Sequence, residues 1–428
     1  MNIPTRLRSV KFRSAAEHTT SFAGLRFIID LAARLGLVRE LRTLTVKKRR
    51  RGIPIEDFVL GLAANFLVGG DSLSDLAVLR SETVTRRLCH ELEIPAPTTA
   101  GERLRTFSIG HLRQLEGIQR RLVSAVLART GGAGPLTVDV DSSIFEVHGY
   151  LKEGARYGYT RVRGLHPLLA FVHGARLLLG CRLRAGNRAS SDGVVSFLGE
   201  ASRALPDDRR VRWRMDAGFY SQAVERFCVA RGHGFSISAK LMPCLRAAID
   251  ALPPQAWRPY PWEPRAECAE LHYCPTGWTR PYRMLVKRTP WFEKDQLILG
   301  EHFITAVITN LTGASASLLR YHLARGGMEN YIEEFKNGLG ARHLPSRRFN
   351  ANWAWLLIAG LAYNLAQAFK LLLLPRAAHA DQLKKLRLHW LNVAARWVRT
   401  GRRWVLALAR GPDVVAAFTR VEHLLHAI

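Results

Sequence analysis

The chain has 428 residues, 48% of them hydrophobic, enough for two or three domains with real cores, which excludes a disordered tail protein. Lysine and arginine number 63 against 35 aspartate and glutamate, a formal charge of +28 that favours polyanionic partners and salt-dependent binding. Six scattered cysteines (Cys89, Cys181, Cys228, Cys244, Cys268, Cys274) show no C-x-x-C spacing, so neither a zinc site nor a disulfide framework is indicated, and a reducing cytoplasm fits. The basic first residues lack an apolar run, so no secretory signal is read there.

Residues 20–130 read as helices almost throughout. Apolar residues recur with helical spacing in 25–35, 55–68, 73–79 and 112–127, and no alternating strand pattern intervenes. An all-α DNA-binding region over residues 1–130 is therefore expected. The run Lys47, Lys48, Arg49, Arg50 and Arg51 precedes Gly52-Ile53-Pro54, a turn signal that places these charges in a loop able to touch phosphate. An ordinary solvated turn accounts for the same run. A second segment, 97–105, offers a threonine cap and a short recognition helix carrying Arg103 and Arg105.

Gly131-Gly132-Ala133-Gly134-Pro135 is the clearest linker, and the pattern changes to strands beyond it. A β-branched run, 136–141, ends at Asp141; after two serines a second strand-like run covers 144–148. Residues 168–184 read as a hairpin, 194–205 as a helix and 211–215 as a strand closed by Asp216. Ala217-Gly218 then turns the backbone into a helix over 221–230, and 234–240 reads as a fifth strand. This order predicts an α/β domain with a mixed sheet over residues 135–375. From about 240 to 310 the chain is strand-rich and aromatic, with Trp257, Tyr260, Trp262, Tyr273 and Trp278, which predicts an inserted β-rich subdomain. Core packing accounts for most of these rings. The apolar stretch 353–374 is interrupted by Asn364, Gln367 and Lys370, so a buried helix fits better than a membrane span. A helical C-terminal region is expected over 376–428.

Three carboxylates stand out in this frame. Asp141 and Asp216 each close a strand, the same topological position, and Glu329 lies on a long helical segment of about 317–338. On a regular helix Tyr321, Arg325, Glu329 and Lys336 fall within about 80° of one another, so basic residues flank a carboxylate on one face. Together they read as a split site for divalent metal. Phosphodiester cleavage needs such a set: hard oxygen ligands holding two Mg²⁺ or Mn²⁺ ions about 4 Å apart, with Arg325 and Lys336 on the substrate phosphates. Alternation does not separate Asp139 from Asp141, which share a strand face, and Glu333 lies only about 40° from Glu329.

The chain resembles the bacterial insertion-sequence transposases of the DDE type. The resemblance rests on VDVDSSIFEVHGY, on MDAGFY, on the tyrosine, arginine, glutamate and lysine set, and on EVHGYLKEGARYGYTRVRGLHPLL and HLPSRRFNANWAWLLIAGLAYNLA, over roughly residues 135–370. Two features depart from the family pattern: three residues instead of two separate Tyr321 from Arg325, and Gly326-Gly327 sits inside the helix. The resemblance implies a ribonuclease H-like mixed sheet with a β-rich insertion, and catalysis and metal binding by Asp141, Asp216 and Glu329. Asp141 is preferred to Asp139 because Ser142-Ser143 follows it, as in the family. DNA contacts are implied for Tyr321, Arg325 and Lys336. The implied activity is metal-dependent cleavage of double-stranded DNA at element ends, with strand transfer by a homodimer or synaptic assembly in the bacterial cytoplasm, on the nucleoid and not at a membrane. A nuclease of the same fold, or a decayed DNA-binding copy, would keep much of the same sequence.

Overall fold

The computed structural model describes residues 14, 17–47, 52–132, 134–158, 161–293 and 296–428. Lys48, Arg49, Arg50 and Arg51 lie outside them; Lys47 is described and exposed.

The most apolar stretch forms the helix Phe349–Leu373. Length and composition would suit a membrane span, yet it is buried along almost its whole length and is the central helix of the core. Helices Leu25–Arg34, Ile55–Val68 and Ile109–Thr130 pack around it, with Phe66 and Trp355 rings 4.5 Å apart. Its Asn352, Asn364 and Lys370 side chains are bonded internally. Asn364 accepts from the Leu178 amide at 2.7 Å and donates to the Leu178 carbonyl at 2.9 Å, while Gln119 donates to that same carbonyl at 3.0 Å. Leu178 lies beside a bulge in the outermost strand of the main sheet, so two buried amides satisfy backbone groups that the strand ladder leaves over.

That sheet has nine strands: β1 Leu136–Ser142, β2 Leu168–Val172, β3 Leu177–Arg182, β4 Val211–Met215, β5 Gly234–Ser238, β6 Arg258–Pro259, β7 Glu267–Tyr273, β8 Tyr282–Glu293 and β9 Gln296–Thr309. Their spatial order is β6-β7-β8-β9-β5-β4-β1-β2-β3. β4 runs parallel to both β1 and β5, and the remaining pairings are antiparallel. The expected succession of three strands, a helix (Val194–Ser202), a strand, a helix (Gln222–Ala230) and a strand is present. The expected inserted subdomain differs in one respect. Its strands are continuous with the main sheet, because β9 pairs with β5 through Val307 and Ser238. The 144–148 run yields only the strand Phe145–Glu146, which joins Arg156–Tyr157 and Arg163–Leu165 in a small separate sheet.

Three further expectations are corrected. The region before residue 130 is not wholly helical among the described residues, since Thr19–Thr20 forms a short strand. The region after 376 is not wholly helical either: Ala395–Thr400 and Arg403–Leu408 form a hairpin turning at Gly401, and its first strand pairs with Thr19–Thr20. Finally, the helix Pro97–Leu104 opens at Ala96 with no side-chain cap, and Arg103 turns inward over the Phe58 ring, 4.8 Å from its centre, donating to the Ile53 carbonyl. Burial of that guanidinium removes it from recognition.

Candidate active site

The register of two parallel strands builds the site. Val140 of β1 stands beside Met215 of β4, so the next residues, Asp141 and Asp216, follow at the carboxyl ends of adjacent strands, which run about 4.8 Å apart. Each carboxylate is steadied by its own backbone: Asp141 Oδ1 accepts from the Ser142 amide at 2.7 Å, and Asp216 Oδ1 from the Gly218 amide at 2.9 Å. Gly218 is required for this turn. A Cβ there would lie 2.9 Å from the Ser190 side chain and 3.0 Å from Asp216 Oδ1. Ser190 in turn meets Ser142 Oγ at 3.0 Å. The loop bearing Ser190 is held by the buried Arg184, whose Nη1 donates to the carbonyls of Ala189 and Asp192, each at 2.8 Å.

Burial and then the neighbouring Asp216 carboxylate push Asp141 up to about 6, against the pull of Arg325, whose Nη1 donates to Asp141 Oδ2 at 3.0 Å. Asp139 has a different setting. It is fully buried and gripped by Arg214, with Nε on Oδ1 at 2.6 Å and Nη2 on Oδ2 at 2.8 Å, and His173 Nδ1 lies 3.1 Å from Oδ2. Both oxygens of Asp139 are thus engaged inside the sheet.

The late helix supplies the roof and is not regular. Ser315–Leu323 is α-helical, Ala324–Gly326 tightens to a 3₁₀ turn, Gly327–Glu333 is α-helical, and Glu334–Gly338 widens to a π turn. The shared face expected for Tyr321, Arg325, Glu329 and Lys336 is divided accordingly. Tyr321 bonds Thr137 Oγ1 at 3.1 Å, and its ring lies 4.8 Å from the Arg214 guanidinium, so it packs over β1 and β4. Arg325, one turn on, reaches Asp141 of the same strand. Glu329 is exposed, and its carboxylate has no ion pair or hydrogen bond among the described residues. Lys336 instead sits 5.7 Å from the Phe145 ring centre, its ammonium held below the usual lysine range chiefly by burial.

Lys336 opens on a cleft of about 520 Å³ lined also by His148, Lys152, Arg342 and His343. Its wall joins two parts of the chain, as His343 Nδ1 meets Asp71 Oδ2 at 2.8 Å. Gly340, at φ +79°, permits this approach, because a Cβ there would fall 2.3 Å from that of Asp71.

The two aspartates fit a divalent cation, being adjacent hard-oxygen donors of which one is held protonated to unusually high pH by burial and then by the other. The third carboxylate is not with them: among the described residues no group of three His, Cys, Asp or Glu side chains is arranged to hold a metal. Sequence reading missed Arg214, Arg184, Ser190 and His322. Arg214 had a signal, since alternation places it on the same strand face as Asp216. His322 had none; buried, it is pushed down to about 3 and shared by the hydroxyls of Ser236 and Ser238, both at 2.8 Å.

A family model described as transposase DDE domain group 1 matches residues 3–427. Two solved structures are similar: the piggyBac transposase synaptic complex with hairpin DNA (10% identity, 87% of this chain and 79% of that one, TM-score 0.49) and the Mos1 strand transfer complex (18% identity, 42% and 63%, TM-score 0.17). No curated protein matches.

Proposed function

Because the chain belongs to the transposase DDE domain family, group 1, we propose that it binds the ends of a mobile DNA element, cleaves DNA strands there and joins the freed 3′ ends to target DNA. The observation that carries this reading is the β1–β4 register, which sets Asp141 beside Asp216 and raises the former to about 6. The order β3-β2-β1-β4-β5, with β4 parallel to its neighbours, supports assignment of the catalytic domain to the ribonuclease H-like class.

Asp141 and Asp216 would hold divalent metal, Mg²⁺ or Mn²⁺, with Glu329 supplied from the exposed turn of the helix above. When bound, such ions supply Lewis-acid stabilisation of phosphoryl oxygens and activation of an attacking hydroxyl, two ions serving the attacking and leaving sides. The chain's own residues prepare for this. Ser142 and Gly218 fix the two carboxylates by their amides, and Arg325 balances the charge of Asp141. Arg214 keeps Asp139 out of the set. Lys336, Lys152 and Arg342 line the cleft that takes substrate phosphates. Two element ends must meet in one reaction, so a homodimer or larger synaptic assembly follows.

Asp141→Asn, Asp216→Asn and Glu329→Gln should each abolish Mg²⁺-dependent cleavage of element-end DNA while end binding persists. Cleavage retained by Glu329→Gln would remove that residue from the site and make Glu333 the next to test. Transfer of a labelled 3′ end to target DNA distinguishes a transposase from a nuclease of the same fold.

A further inference from the structure

The C-terminal hairpin has no part in the site described above, and its chemistry is distinctive. Residues 395–412 contain Arg396, Arg399, Arg402, Arg403 and Arg410 and no acidic residue. All five arginines are exposed, and none is in an ion pair among the described residues. Six register pairs, from Ala395–Leu408 to Thr400–Arg403, make the ribbon a defined two-stranded element. It is anchored at its base by the pairing of Thr19–Thr20 with Ala395 and Arg396, and by Leu406 and Leu408, which pack against the core. This sheet is separate from the one carrying Asp141 and Asp216.

Alternation sorts the side chains. Leu406 and Leu408 share the face that meets the protein, so Arg396, Val398, Arg403, Val405 and Ala407 form the opposite face. That face has small apolar side chains in its middle and arginines at its margins, with Arg402 at the tip. Trp404 is 60% exposed, its ring 5.5 Å from that of Trp397. Six residues per strand span about 20 Å. A two-stranded ribbon of this width fits the major groove of B-form DNA, about 12 Å across, where arginines reach phosphates and guanine edges and small apolar groups reach thymine methyls. A second copy of the ribbon would bring like charges together.

We propose that the ribbon formed by Ala395–Thr400 and Arg403–Leu408 docks in the major groove of double-stranded DNA, as a contact separate from the carboxylate site. The assignment rests on the reading of the chain as a DNA transposase. In such a protein it would hold duplex apart from the strand being cut.

The test uses the full chain carrying Arg396→Gln, Arg402→Gln and Arg403→Gln together, with a fluorescent 30-bp duplex of arbitrary sequence as probe, read by anisotropy over a salt series. Each lost phosphate contact should lower the slope of log affinity against log salt by about 0.9, so the triple variant should lose about 2–3 from the slope and bind at least tenfold more weakly at low salt. A variant of equal charge, Arg129→Gln with Arg203→Gln and Arg246→Gln, should change the slope much less. Equal slopes for the ribbon variant and the parent would overturn the proposal, as would equal losses in the two variants, which would mean bulk charge alone. An equal weakening on an A-form RNA duplex, whose major groove is too narrow for a ribbon, would also overturn it. The parent's Mg²⁺-dependent cleavage is scored separately. Its absence would sink the transposase reading, whereas an unchanged slope sinks the ribbon alone.

Discussion

Replacing Asp141 by asparagine should make the metal-free protein more heat-stable at neutral pH. The side chain is 17% exposed, and its pKa is raised from 3.8 to about 6 by burial and by Asp216. A carboxyl raised in this way stabilises the fold while protonated, fully below the unfolded value and progressively less as pH rises through about 6. At pH 7.5 the ionised carboxylate therefore costs about 3 kcal/mol relative to a neutral group. That figure already contains the pull of Arg325 on the charged form, so asparagine, which resembles the neutral carboxyl, should gain up to about 3 kcal/mol. For a chain of this length that corresponds to a rise of up to about 3 °C in Tm. The assay is scanning calorimetry of parent and variant in EDTA at pH 4, 6 and 7.5, repeated with Mg²⁺. The gain should be present at pH 7.5 and absent at pH 4. Magnesium should raise the parent's Tm more than the variant's, because only the parent keeps both charged carboxylates of the pair. A difference independent of pH, or a variant less stable than the parent at pH 7.5, would refute the view that burial and Asp216 together disfavour the charged form of Asp141.

Two other outcomes bear on the support around the site. Arg214→Met leaves Asp139 buried without its partner and should cost about 3–5 kcal/mol, seen as a fall in Tm; an unchanged Tm would contradict the buried pair. Gly218→Ala must displace Ser190 or Asp216, so it should lower cleavage of element-end DNA at least tenfold while the circular dichroism spectrum stays that of the parent, and full activity would show that the turn is not constrained.

What could be read from sequence depended on whether local pattern and tertiary structure agreed. Asp141 and Asp216 were placed at strand ends because β-branched runs and Ala217-Gly218 mark those ends locally, and the parallel register then sets them side by side. The expected place of Glu329 rests on counting around a regular helix. That count fails where Gly326-Gly327 lets the helix tighten and where Glu334–Gly338 widens, so Lys336 points into the cleft while Arg325 points to Asp141. The ribbon reads as helix in the sequence because its outward face alternates valine, alanine and threonine with only two arginines, Arg396 and Arg403, so no polar–apolar alternation marks Trp397, Leu406 and Leu408 as one inward face. Its partner strand, Thr19–Thr20, lies at the opposite end of the chain and leaves no local trace. Arg103 carries no sequence mark of its burial, because a cation lying over Phe58 looks, in sequence, like one facing solvent.

The pairing of Thr19–Thr20 with a strand some 375 residues later has a consequence for how the molecule is made. Helix Leu25–Arg34 is synthesised long before the segments that cover it, since Phe27 rests on Phe418, Arg26 bonds Glu422 at 2.7 Å, and Thr20 pairs with Ala395. At ordinary elongation rates the ribosome needs roughly 20–75 s to travel from residue 20 to residue 395. Throughout that interval one side of helix Leu25–Arg34 lacks its final cover and is open to chaperones, proteases and neighbouring nascent chains. Messages broken before codon 395 would accordingly yield polypeptides with intact aspartates but an unsealed amino-terminal helix, prone to clump or to be degraded before they could meet DNA.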